Sequence, residues 1–362
     1  MLTCRALNRD CPKFLLEKTV ELNDNRHVRT FLRFMRPHGR RRWQHLKSLT
    51  MCCSNLNSTL AEALANDLPR ASRLETLKLE DAERTLSAHH NLPLAFAALR
   101  SVKYVEIKEG YQHTCRMLEA MRWPLESAIL CDDDIRHSTE WQDADKFDRL
   151  HPAALFKNAR LTLQKLKYEC WRECNECLPT YPVYPNLRSL VVKAGWVPRS
   201  AQWAITYPHL ESLVVHSMDN YIMEDGPEAL EGYAELRQEN LEDHLRCSWA
   251  RLEKFSGTVF DLYLLGIPCP IKHVAIQTCE DSLRFVRPVV AGARPERLSL
   301  TFSGKKPVTI GQEALALVLK ELSLLQIHTL DLCSGFILAL DNNVRFMEVF
   351  LVSGIPCCNI IY

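Results

Sequence analysis

The feature that most restricts how this chain can fold is a short motif, apolar-x-x-apolar-x-apolar, that recurs along most of its length. It stands at Leu46-Lys47-Ser48-Leu49-Thr50-Met51 and at Leu74-Glu75-Thr76-Leu77-Lys78-Leu79. Further copies begin at Val102, Leu125, Leu163, Leu187 and Leu210, and weaker ones at Leu252, Ile271, Pro295 and Ile327. Successive starts lie 28, 28, 23, 38, 24, 23, 42, 19, 24 and 32 residues apart. That is the range in which repeat architectures of about 20–50 residues are built. The last three motif positions suit a short strand whose side chains point in, out and in, while the first apolar residue seats the turn that enters it. No single copy can bury its own apolar face, so neighbouring copies must stack.

Between the motifs the apolar spacing becomes helical. Leu60, Leu64 and Leu68 follow Asn57 and Ser58, either of which can cap a helix. Leu315, Val318, Leu319 and Leu322 share a face, as do Val344, Met347 and Leu351. Strand, turn, helix and return is therefore the expected unit. The chain is read as an α/β, leucine-rich-repeat-like solenoid, an irregular horseshoe over residues 44–362, with a short N-terminal helical segment over residues 1–43. Within that segment Cys4, Leu7, Cys11, Phe14 and Leu15 have helical spacing, interrupted or restarted at Pro12, and Val28, Phe31, Leu32 and Met35 predict a second helix behind Asp24.

The two longest steps predict polar insertions, one holding Asp132-Asp133-Asp134 and residues 137–149, the other residues 218–246. Such loops are where a solenoid diversifies its binding face. The apolar run Ile355-Pro356-Cys357-Cys358-Asn359-Ile360-Ile361-Tyr362 has no polar cap. It reads as a chain cut short at its C-terminus, or as an end that a partner covers.

Composition narrows the function class. A net charge of +1 over 362 residues gives no global attraction to nucleic acid or to acidic substrates. Fifteen cysteines fall as adjacent pairs or singly within apolar runs, not as a spaced framework, which predicts reduced thiols. No apolar leader follows Met1 and no stretch reaches eighteen uninterrupted apolar residues, so an intracellular protein, cytoplasmic or nuclear and without a membrane, is expected. The first fifty residues carry twelve Lys and Arg against four Asp and Glu, with a knot at Arg36-Pro37-His38-Gly39-Arg40-Arg41-Arg42. Nuclear import or phosphate contact is one reading of that knot. A solvated loop between the second helix and the first strand is the plainer one, and no interleaved aromatics support RNA stacking.

The sharpest chemical motif is Cys170, Cys174 and Cys177, because C-x3-C-x2-C is the spacing with which radical-SAM enzymes hold a [4Fe–4S] cluster. Glu176 stands where those enzymes place an aromatic residue, and no glycine-rich stretch follows. A zinc site would need a fourth ligand, and the nearest upstream histidine, His151, has no telling spacing. The plainer reading is idle reduced thiols, with no metal and no cofactor. Asp132 to Asp134 match no calcium loop, His89-His90 lack a zincin partner, and no G-x-S-x-G, P-loop or dinucleotide fingerprint occurs. No catalytic residue is therefore named.

The run from Leu2 to Leu16, leading into Thr19-Val20-Glu21-Leu22, resembles the closing helix of an F-box domain and its exit strand, after which such proteins carry leucine-rich repeats. Trp249 to Ile267, followed by Cys269-Pro270-Ile271-Lys272-His273-Val274, looks like the degenerate repeats of fungal F-box-like proteins. The chain departs from that family in lacking the first F-box helices, which open with Leu-Pro and carry most of the contact to the Skp-type linker. The resemblance implies a non-enzymatic substrate-recognition subunit of an SCF-type ubiquitin ligase. Its target protein would lie on the concave face, bordered by outward positions such as Ser48, Thr76, Ser189 and Ser212. A free-standing scaffold unrelated to ubiquitin and an iron–sulfur enzyme are the alternatives.

Overall fold

The computed structural model describes residues 12–36, 38–131, 151–169, 181–194, 199–217, 227–302, 327–334 and 358–361. The chain is α/β and divides into two compact units, Met1–Leu187 and Arg188–Tyr362.

The first unit holds strands β1 (Thr19–Leu22), β2 (Ser48–Met51), β3 (Thr76–Leu79), β4 (Tyr104–Lys108), β5 (Ser127–Cys131) and β6 (Lys165–Glu169). Each pairs with the next in parallel, in chain order. Helices α1 (Asn25–Met35), α2 (Ser58–Asp67), α3 (Ala82–Ser87), α4 (Leu92–Ala97), α5 (Gln112–Ala120) and α6 (Pro152–Leu155) lie between them. The second unit holds β7 (Ser189–Ala194), β8 (Ser212–Ser217), β9 (Leu252–Thr258), β10 (Ile271–Thr278), β11 (Arg297–Phe302), β12 (Thr329–Ser334) and β13 (Cys358–Ile361), again parallel and sequential. Its helices are α7 (Ser200–Thr206), α8 (Pro227–His244), α9 (Val259–Leu265) and α10 (Val286–Ala293).

The eleven motif copies coincide with β2 to β12. Their fourth positions align across each sheet: Leu49, Leu77, Val105, Ala128 and Leu166 in the first unit. In the second, Leu190, Leu213, Phe255, Val274, Leu298 and Leu330 do the same. All are buried, as are the first positions Leu46, Leu74, Val102, Leu125, Leu163, Leu187, Leu210, Leu252 and Ile271. Each Leu, Val, Ile or Phe among them removed from water contributes about 1.5–3 kcal/mol, which explains why parallel stacking of short strands is stable here.

A second device repeats with the same period. The Lys47 carbonyl accepts from the amides of Glu75 and Thr76, and the Glu75 carbonyl accepts from Lys103 and Tyr104. Lys103 serves Glu126 and Ser127 in the same way, and Glu126 serves Gln164 and Lys165. In the second unit Arg188 serves Glu211 and Ser212, and Glu211 serves Glu253 and Lys254. The second motif position thus ties each turn to the next one through its backbone, so its side chain is free to vary.

The helices start where their caps dictate. The Asp24 carboxylate accepts from the His27 amide at 2.7 Å, and Val28, Phe31, Leu32 and Met35 of α1 are buried. Asn57 accepts from Thr59 at 3.0 Å to begin α2. Thr258 and Asp261 form a reciprocal capping box for α9, which ends on Gly266 at φ 57°, pressed against the α8 backbone.

Two expectations change. The basic knot is not simply a solvated loop: residues His38–His45 form a 3-10 helix in which Arg42 and Trp43 are buried. The Arg42 guanidinium lies 4.5 Å over the Phe34 ring and donates to the Phe34 carbonyl at 2.6 Å, while Trp43 packs edge-on against Phe31. The predicted insertion at 218–246 holds α8 rather than only loop. Its buried Asn240 donates to the Leu264 carbonyl at 2.9 Å and accepts from the Ser200 amide at 3.1 Å, anchoring α8 to α7 and α9. The helical spacings at 315–322 and 344–351 and the acidic stretch 132–149 lie outside the described residues.

Candidate interaction surface

Motif positions three, five and seven leave each sheet on the side opposite the helices and form rows across the strands. In the first unit the third-position row is Ser48, Thr76, Tyr104, Ser127 and Lys165, in register from β2 to β6. The expected Ser48 and Thr76 therefore do lie side by side, half-buried. In the second unit Ser189, Ser212 and Lys254 begin the corresponding row, followed by His273, Arg297 and Thr329.

The first unit's face is a web of opposite charges. Lys78 pairs with Glu106 at 2.8 Å, Lys108 with Glu80 at 2.6 Å, and Lys167 with Glu169 at 2.7 Å. Tyr104 donates to Glu106 at 3.0 Å. Burial pushes the Glu106 carboxyl up, but the Lys78 ammonium, the Tyr104 hydroxyl and Lys108 outweigh it and hold the group below the usual carboxylate range. Burial, then the bond to Glu106, pushes Tyr104 up to about 12. Cys131 beside them is pushed up to about 11 by burial and then by Glu169, which favours its thiol over the thiolate. Half-exposed pairs of this kind, across strands or within one, contribute about 0.2–1 kcal/mol each, so the web orders the surface more than it stabilises the fold.

The second unit's face is different. Arg297 donates to the buried Asp331 at 2.7 Å, Ser299 donates to the same oxygen at 3.2 Å, and His273 Nε2 lies 3.1 Å from the Ser299 hydroxyl. Ser299 thus stands between the His273 ring and the Asp331 carboxylate, one chain of contacts across β10, β11 and β12. Burial, then Arg297 and Lys254, holds His273 below its ordinary value, against the opposing pull of Asp331. Sequence reasoning gave none of these residues a site role. Lys78 and Glu106 stand one repeat apart, and Arg297 and Asp331 are separated in the chain by a whole returning segment, so only strand register brings each pair together.

The sequence-level metal candidates Cys170, Cys174 and Cys177 lie outside the described residues, as do Asp132 to Asp134. His151, weighed as a fourth ligand, is a buried capping residue. Its Nδ1 accepts from the Ala153 amide at 3.1 Å, and its ring stacks 4.2 Å from Tyr181 and meets Tyr168 edge-on. The His89 and His90 rings meet at a tilt, 4.4 Å apart. Among the described residues no three His, Cys, Asp or Glu side chains gather as a metal site would require, and no helix is long and apolar enough to cross a membrane.

Burial alone pushes the His151 imidazole down to about 3, against an ordinary 6.5. The folded state therefore binds fewer protons than the unfolded one between these values. Its stability contribution is whole above pH 6.5 and falls as the pH drops toward 3, by up to about 1.4 kcal/mol per unit. Chemical denaturation at pH 6.5 and 5 is expected to show a loss of about 2 kcal/mol from this group in the native chain. His151→Asn keeps a capping oxygen but does not titrate, so that increment should be absent from it, whatever its absolute stability.

No family model matches the chain, and no curated protein matches it in sequence.

Proposed function

We propose that this protein is a non-enzymatic interaction module, a leucine-rich-repeat-like horseshoe that captures a target protein on its strand face inside the cell, in cytoplasm or nucleus. The observation that carries this reading is the register of the outward rows. In each unit the motif copies contribute side chains of varied type, most of them half-exposed, to the outward rows, while the mostly apolar first, fourth and sixth positions are spent on the core. Such an arrangement separates recognition from folding, as a binding surface requires and as a single catalytic constellation does not. Cys52, Cys53, Cys131, Cys247, Cys269 and Cys279 are free thiols, in keeping with a reducing compartment. The N-terminal F-box-like run extends the proposal to the substrate-recognition subunit of an SCF-type ubiquitin ligase.

The test is quantitative affinity purification from the native host, comparing the native chain with Thr76→Arg/Ser127→Arg on the strand face and with Arg116→Ala on the exposed side of α5. The face variant is expected to lose its specific partners at least about tenfold, as loss of a central contact does, and the helix variant to keep them. Partners retained by the folded face variant would rule out the strand face as the binding surface. A Skp-type linker that fails to bind the purified chain would remove the ubiquitin-ligase role and leave a free-standing scaffold.

A further inference from the structure

Two helices carry charge that the fold itself does not use. On α1 the apolar residues Val28, Phe31, Leu32 and Met35 face the core, and Arg26, Arg29 and Arg33 are exposed on the opposite side, followed by Arg36 at the C-cap. Among the described residues none of the four forms an ion pair, and the first turn of α1 holds no acid. Arg26 stands at the positive end of the helix, where a cation opposes the dipole, whereas Arg33 and Arg36 stand at the negative end, which favours them.

Helix α8 is the converse. Glu231, Glu235, Glu239 and Glu242 recur four, four and three residues apart on the side away from the buried Asn240 and His244, and all are exposed. Glu239 meets Arg199 at 3.7 Å and Glu242 accepts from Gln238 at 2.9 Å. Glu231 and Glu235 have no partner among the described residues. Like charges four residues apart repel, and Glu242 with Asp243 crowds the negative end of the helix, again at a cost.

We propose that the arginine face of α1 docks against the acidic face of α8 in a second copy of this chain. The two stripes are opposite in sign and alike in number and length. Arg26 to Arg36 spans about 15 Å along its axis and Glu231 to Glu242 about 16 Å at the rise of an α-helix. An antiparallel approach sets Arg26 beside Glu242 and Arg36 beside Glu231, and sets the positive end of one helix beside the negative end of the other. Each stripe is exposed within its own unit. A nucleic acid is a poorer occupant: the exposed side of α1 offers no aromatic platform for bases, and the net charge of the chain is only +1. The proposal is independent of the target-binding reading, since it uses helix surfaces and not the strand face.

Sedimentation velocity of the full chain at about 100 µM in 20 mM and 500 mM sodium chloride tests it, because exposed ion pairs are screened over that range. Association is expected at low salt, with an association constant at least tenfold smaller at high salt. Arg29→Glu/Arg33→Glu should sediment as a monomer at low salt, and so should Glu231→Arg/Glu235→Arg. A chain carrying all four substitutions should associate again, a recovery that no folding defect can imitate, with circular dichroism verifying each fold. A native chain that stays monomeric at low salt overturns the proposal, as does association indifferent to either pair of substitutions. A monomer that binds heparin through Arg29 and Arg33 also overturns it, by giving the arginine face to another polyanion.

Discussion

Gly257→Leu, which would restore the apolar residue that the motif otherwise carries at its sixth position, is expected to destabilise the second unit by about 3 kcal/mol or more. A Cβ at this glycine would lie 2.6 Å from the Val215 carbonyl oxygen and 3.1 Å from the Phe255 ring. The carbonyl belongs to the neighbouring strand and cannot swing aside as a side-chain tip can. The ring of Phe255, at the fourth position, fills the volume that a sixth-position leucine takes up in other copies. Gly257→Ala should already cost about 1–3 kcal/mol for the same backbone contact. Urea denaturation followed through the tryptophans reads both. A Gly257→Leu chain as stable as the native one would mean that β8 and β9 are not packed as described.

Glu83→Ala should cost the first unit about 2–4 kcal/mol, a large effect for a half-buried residue on a six-residue helix. The Glu83 carboxylate leaves α3 and caps α5 of the next repeat. It accepts from the amides of Tyr111 at 2.8 Å, His113 at 2.8 Å and Thr114 at 3.2 Å, from the Thr114 hydroxyl at 3.3 Å, and from the His113 ring at 2.7 Å. Removing it strands several first-turn donors of α5 at once, and that helix has no cap of its own at Tyr111. Glu83→Gln keeps one acceptor oxygen and should lose less. Equal stability of Glu83→Ala and the native chain in chemical denaturation would show that the repeats do not cap one another.

The strand array is legible in the sequence because its signal is redundant. Period-two burial at Leu49 and Met51 is echoed at Leu77 and Leu79, then at Val105 and Ile107, so no single copy has to be trusted. The copy at Leu252 looks degenerate only because Phe255 and Gly257 exchange volume between two positions. Helix α8 is harder to read for a definite reason: its buried side is built on Asn240 and His244, so the apolar periodicity that marks other helices is missing. His151 shows the same limit, since nothing in its neighbours distinguishes a neutral capping imidazole from a ligand. The surface rows are invisible until register is known, because Lys78 and Glu106 become neighbours only when two repeats stack. What the surface binds is a property of that pattern and not of any local motif.

The central claim is that successive motif copies stack one strand apart, and distances between spin labels within the first unit test it most directly. Labels would be carried on an unnatural amino acid, since the chain has fifteen cysteines of its own. With one label at Ser48 and the second at Thr76, Ser127 or Lys165, the separation should grow by about 4.8 Å for each step from one strand to the next, reaching about 19 Å at Lys165. Separations that fail to follow repeat number, with Lys165 nearer to Ser48 than Ser127 is, would contradict the stacked array and the interaction surface built on it.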